Sequence, residues 1–205
     1  MMYDLGFAVA SVLLLLTLYF SSVEDMKYHR ISKKYVIAVF LIVMIYNNIA
    51  GSSVEATVSF LMTLGIFGAI TALSRGGFGF GDTIVLGALG WYIGSLIHLQ
   101  YFFLTLAFSM LILGGYFVVK NHKNNHKKWN LFFNNKEFVK VKNLKVGMIL
   151  CEDYFMKGLT EKEIEDLQKK NDPDNGICVK QAYPFIPVIF LSFLVYVIMI
   201  FAEVY

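Results

Sequence analysis

Charge is what this chain lacks. Only 16% of its 205 residues are Asp, Glu, Lys or Arg, 57% are apolar, and the mean hydropathy is +0.60. A globular chain runs nearer about 25% charged and 45–50% apolar. That balance excludes an ordinary water-soluble domain, and the repeated apolar runs of roughly 17 or more residues read as membrane spans. Cysteine is almost missing too. Cys151 and Cys178 stand apart with no Cys-x-x-Cys pair, so a zinc ribbon is excluded and two reduced thiols are expected. His122 and His126 have the i, i+4 spacing of a helical metal pair, but no third ligand accompanies them, and no metal is expected. No Lys or Arg precedes Lys27, and the first apolar run has no convincing small-residue cleavage site. It reads as a retained span rather than a removable signal peptide.

Six candidate spans follow from the apolar runs: Leu5–Val23, Tyr35–Ala50, Val54–Leu73, Thr83–Leu99, Tyr101–Val119 and Phe185–Ala202. The fourth and fifth form one run too long for a single crossing, and a break between Gly94 and Gln100 divides it. Cytoplasmic loops retain Lys and Arg. The first loop has Lys27, Arg30, Lys33 and Lys34, the third has Arg75, and the segment after the fifth span is rich in Lys, while the second and fourth loops have none. The chain is therefore expected to be a multi-pass protein of the cell membrane, with both termini outside and loops one, three and five in the cytosol.

Of the 18 Lys and Arg, 13 lie between Lys120 and Lys180, together with nine of the 15 acids. Residues 120–182 thus read as a cytosolic insertion between a five-helix membrane part (1–119) and a sixth span (183–205). Partial alternation from Glu137 to Leu150 predicts short strands with a turn at Gly147. Thr160 with Glu163 three residues later is a capping-box pattern, predicting a helix to about Lys170, and the cluster Asp172-Pro173-Asp174-Asn175-Gly176 predicts the turn that ends it. About sixty residues support only a modest core, so the insertion is expected to lean on the bundle. Asn121 to Asn135 reads either as a stretch resting on lipid headgroups or as a solvated linker. The fold class is all-α and polytopic, with six transmembrane helices and a small α+β insertion before the last.

Against this apolar background two aspartates stand out. Asp25 closes the first span, and Asp82 closes the run Gly76-Gly77-Phe78-Gly79-Phe80-Gly81 before the fourth. Ionisable groups at membrane depth are costly and usually mark a functional site. The orientation rule puts both at the cytosolic end. Two neighbouring carboxylates titrate as a unit and can share a proton, the arrangement that aspartic proteases use on water and a scissile carbonyl. Gly79 and Gly81 let the chain turn tightly beside another backbone. Blander readings exist for each residue: Asp82 as an N-cap of the fourth span, and Asp25 as an interfacial charge paired with Lys27 or Arg30. Glu24 is the rival to Asp25 but faces elsewhere on a helix, and Glu55 and Glu203 fall on the outer side. From other classes, the pair would serve as cation or proton sites of a small ion-coupled transporter, or the chain would be a membrane scaffold with the insertion as its docking surface.

The residues also resemble a known family. Gly79-Phe80-Gly81-Asp82 matches the Gly-x-Gly-Asp signature of aspartic membrane proteases. Asp25, followed six residues later by Ile31 and then Ser32, is similar to the first-aspartate motif of type IV prepilin peptidases. The insertion before a last span opened by Pro184-Phe185-Ile186-Pro187 is similar to the archaeal branch, which includes preflagellin peptidases. The resemblance implies removal of a short basic leader from pilin-like or archaellin precursors at the cytosolic membrane face. Asp25 and Asp82 would be catalytic, with Gly79, Phe80 and Gly81 as the motif beside the substrate. It implies no metal or organic cofactor, no nucleic-acid partner, and no methylation, since the added domain of the methylating relatives is missing. The chain departs from the pattern at Ile84, where many members have Lys, and at Ser32, where Pro is usual. A Pro-Ala-Leu motif of the presenilin kind is absent. Neither the precursor that is cut nor the oligomeric state follows from the sequence.

Overall fold

The computed structural model describes residues 5–28, 31–51, 53–73, 79–124, 136–151, 158–180 and 185–204. His29 and Arg30, Arg75 to Phe78, His126, and Pro184 lie outside them, as does most of the Asn121–Asn135 stretch. Each apolar run becomes a helix: α1 (Leu5–Tyr28), α2 (Lys33–Ala50), α3 (Val54–Leu73), α4 (Phe80–Ile93), α5 (Leu96–Asn124) and, after the insertion, α7 (Ile186–Val204). Four of them, α1, α2, α3 and α5, are long and apolar enough to cross a membrane. The 14 residues of α4 rise only about 21 Å, short of the ~30 Å hydrocarbon core, and the apolar part of α7, Ile186–Ala202, is also shorter than a full span.

The expected break is present, at the start of the Gly94–Gln100 stretch. Helix α4 stops at Ile93, because Gly94 takes a left-handed conformation (φ +68°) and returns its N–H to the Gly90 carbonyl at 3.3 Å. Helix α5 then starts at Leu96, whose amide donates to Glu55 Oε1 at 3.0 Å. Glu55, which the sequence left without a task, thus serves the first turn of a neighbouring helix. His98 and Gln100 lie inside α5, not between helices.

Helix α4 is the centre of the bundle. Val85, Leu86, Ala88, Leu89 and Tyr92 are buried around most of its circumference, as expected for a helix apolar on all sides. It packs against α2 and α3, while α1 packs on α2 and α7, and α5 on α7. Close approach to α3 depends on Gly90, where an added Cβ would lie 3.0 Å from the Ser59 carbonyl and press on Thr63. Large apolar side chains such as Leu13, Leu41, Leu61 and Leu104 point outward, the surface a lipid environment accepts. At the Phe7 end of α1, Tyr92 donates to the Phe7 carbonyl at 2.9 Å and shares a 2.7 Å bond with Ser11, tying α1 to α4.

The insertion is a three-stranded antiparallel sheet, ordered β1 (Lys136–Lys140), β3 (Gly176–Lys180), β2 (Ile149–Leu150), with helix α6 (Glu161–Lys170). Val141, Leu144, Leu159, Ile164 and Val179 form its small core. The capping box is present in full: Thr160 Oγ1 accepts from the Glu163 amide, and Glu163 Oε2 accepts from the Thr160 amide at 2.7 Å. Asp172 Oδ1 accepts from the Asp174 amide at 3.0 Å, which closes the turn before β3. The exposed Asp174 accepts from Lys142 (2.7 Å) and Lys140 (3.2 Å), and these cations hold its carboxyl below the usual range. As expected, the insertion leans on the bundle. Gly158 lies so close to the Tyr28 carbonyl at the end of α1 that no side chain fits there.

One expectation is overturned. Cys151 and Cys178 are not separate thiols but a disulfide joining the end of β2 to β3. They lie 27 residues apart in sequence, and the Cys151 amide bonds the Cys178 carbonyl at 3.0 Å. Adjacent antiparallel strands bring them together, which spacing alone does not reveal. Closing such a loop stabilises by about 2–4 kcal/mol. Replacing both cysteines with serine should therefore speed hydrogen exchange at the β2 and β3 amides while leaving α4 protected. Unchanged exchange in the sheet would show that the link contributes nothing.

Candidate active site

Asp25 sits on the last turn of α1 and is 5% exposed. Helix α1 turns the face of Leu14, Leu18, Ser21 and Asp25 inward, so the carboxylate enters the bundle instead of solvent. Its Oδ2 accepts from the Ile186 amide at 3.0 Å, and the Phe185 amide also bonds it. These N–H groups at the start of α7 have no carbonyl of their own helix to bond, and the helix dipole there favours an anion. Pro187 follows within the first turn, where a missing N–H costs nothing. Pairing with Lys27 is not what holds Asp25, since the Lys27 ammonium lies over the Tyr28 ring.

Asp82 is the third residue of α4 and 8% exposed. It is not the N-cap, which is Gly79; its side chain folds back and accepts from the Gly79 amide. A Cβ on residue 79 would lie 2.6 Å from Asp82 Oδ2. Gly81 is pressed in a different way. A Cβ there would meet Ile31 Cδ1 at 3.3 Å, so the Ile of the first motif packs directly on the second motif. Phe80, 63% exposed, stands outside this contact. Thr83, beside Asp82, shares a 2.7 Å bond with Thr71 of α3, which fixes the first turn of α4. The Gly76-Gly77-Phe78 part of the run lies outside the described residues.

The two carboxylates are close enough for the Asp25 charge to act on Asp82. Asp82 Oδ1 is buried with no hydrogen-bond partner among the described residues. A buried orphan oxygen beside a second carboxylate is a place for a water or a substrate group. Glu24, the rival, turns the other way. It pairs with Lys34 at 3.8 Å in a cavity of about 610 Å³, lined also by Phe20, Lys27, Tyr35 and Glu161, between α1, α2 and α6. Among the described residues no group of three His, Cys, Asp or Glu could hold a metal ion.

The sequence pattern of the type IV leader peptidase family matches residues 12–118, more than half of the chain. The chain belongs to the type IV leader peptidase family. Asp25, Ile31 and Gly79 to Asp82 all fall inside the matched region, and the insertion and α7 fall outside it. Membership makes the chain a protease of the prepilin-peptidase kind with apolar membrane helices, and leaves the transporter and scaffold readings without support. No curated protein matches the chain.

Sequence reasoning missed the α7 amides that hold Asp25, the Thr71–Thr83 bond and the contact of Ile31 with Gly81. The Phe185-Ile186-Pro187 opening of the last helix was visible, but nothing local linked it to a residue 161 positions earlier. Gly79→Ala should lower the peptidase rate by at least about tenfold, because a Cβ displaces the Asp82 carboxylate, and a misplacement of 1 Å can cost about 10²-fold. Steady-state rates of the folded variant test this; a rate equal to wild type would show that Asp82 need not sit against residue 79.

Proposed function

We propose that this leader peptidase is an aspartic endopeptidase, with Asp25 and Asp82 as its catalytic pair, that removes the short basic leader of pilin-like or archaellin precursors at the cytosolic membrane face. The observation that carries the reading is two buried carboxylates at one end of the bundle within electrostatic reach of each other, one with an oxygen that has no partner among the described residues. One carboxylate takes a proton from water as its oxygen attacks the scissile carbonyl carbon, and the other gives a proton to the carbonyl oxygen. Collapse of the resulting diol breaks the C–N bond, and a proton passes to the departing nitrogen. No metal or organic cofactor enters this scheme. Positive charge in the first and third loops supports the cytosolic placement of both aspartates, with six crossings and both termini outside. Gly79, Phe80 and Gly81 form the rim along which the precursor backbone lies, and the exposed Phe80 ring is free to meet its apolar helix.

Incubating the protein in lipid vesicles with a pilin-like precursor tests this reading. Mass spectrometry should show a product that begins at the hydrophobic helix, together with the released basic leader. Precursors of both pilin and archaellin type left at full length would contradict it.

A further inference from the structure

Several hydroxyls in this bundle share one habit, while Ser59, near the other end of α4, lacks a partner among the described residues. Thr17, Ser22, Thr63, Thr71 and Ser192 each donate to the carbonyl four residues earlier, at 2.6–2.8 Å, the usual way an apolar helix satisfies a hydroxyl. Ser21 does not. It is 2% exposed, and its Oγ has no hydrogen-bond partner among the described residues. It lies one helical turn before Asp25, about 40° around α1 from it. Side chains on a helix lean toward its N-terminus, so the Asp25 carboxylate lies over the turn that holds Ser21. Asp82 Oδ1 is the second buried oxygen at this end of the bundle without a partner. A hydroxyl that gives up its local bond beside a carboxylate pair has a donor and an acceptor to offer there. A buried water needs about two to four such polar partners.

We infer that Ser21 is a third polar group of the active site, holding the attacking water against Asp25 and Asp82. The inference rests on the aspartic-peptidase reading. Asp25 oriented by the α7 amides takes the proton, Ser21 fixes where the water oxygen stands, and the carbonyl of the precursor completes the set. Serine at position 21 would then matter for the rate of the chemical step and little for substrate capture, because it touches water and not the leader.

The experiment measures kcat and KM for leader removal by wild type, Ser21→Ala, Ser21→Thr and Asp25→Asn in the same vesicles, with a thermal unfolding curve for each. The expected result is a fall in kcat of about 10–10²-fold for Ser21→Ala, with KM within about twofold and an unchanged melting temperature, since fixing a reacting group in place is worth effects of that order. Ser21→Thr, which retains the hydroxyl, should recover most of the rate. Wild-type kcat in Ser21→Ala, or equal loss in the Ala and Thr variants, would overturn the role of Ser21 while leaving the peptidase reading in place. A wild-type protein with no cleavage at all would overturn both.

Discussion

Asp82→Asn should stop leader removal almost completely, with a loss of at least about 10³-fold and no change in membrane insertion. The amide has the size of the carboxylate, so the tight fit against Gly79 is preserved. What it cannot do is hand a proton on, and general acid–base catalysis contributes about 10²–10⁴-fold per group. In the proposed mechanism the two carboxylates act as one unit, so losing either removes the function of both. The fold has little reason to respond. Leu86, Leu89 and Tyr92 anchor α4 in the core independently of residue 82, and Thr83 still bonds Thr71. A folded Asp82→Asn protein that cleaves within tenfold of wild type would remove Asp82 from the chemistry.

Asp25 should be as important for the rate and more important for the structure. Asp25→Asn is expected to lose at least about 10³-fold in rate while its side-chain oxygen still accepts from the Ile186 amide. Asp25→Ala should lose the same activity and also destabilise the fold by about 1–3 kcal/mol, the range for leaving a buried donor unpaired. The difference between the two variants isolates the bond that ties α1 to the start of α7. Thermal unfolding curves of both read it directly; equal melting temperatures would show that the α7 amides find another acceptor.

The helices were legible because apolar runs leave the chain few alternatives, and Thr160 with Glu163 announced α6 down to its first residue. Asp25 and Asp82 were legible because a carboxylate among leucines is costly, and charge counting in the loops placed both at one end. The break between α4 and α5 was expected within Gly94 to Gln100, and a left-handed glycine sets it at the first of these residues. Strand β3 escaped notice, since five residues after a turn cluster give too little alternation to separate from loop. The disulfide and the Asp25–Ile186 bond depend on pairings across 27 and 161 residues, which no local pattern encodes. The disulfide also bears on placement. Such links are rare in the cytosol of most cells, though intracellular proteins of hyperthermophiles contain many. The lysines of the insertion favour the cytosolic side and the disulfide favours an oxidising compartment, so the two features pull in opposite directions.

The most direct test of the account compares wild type, Asp25→Asn, Asp82→Asn and the double variant on one precursor, in matched vesicles with equal amounts of folded protein. The expected result is shortening by wild type alone, with the three variants indistinguishable from one another. Cleavage by either single variant at a rate near wild type would contradict the claim that these two carboxylates work as a pair.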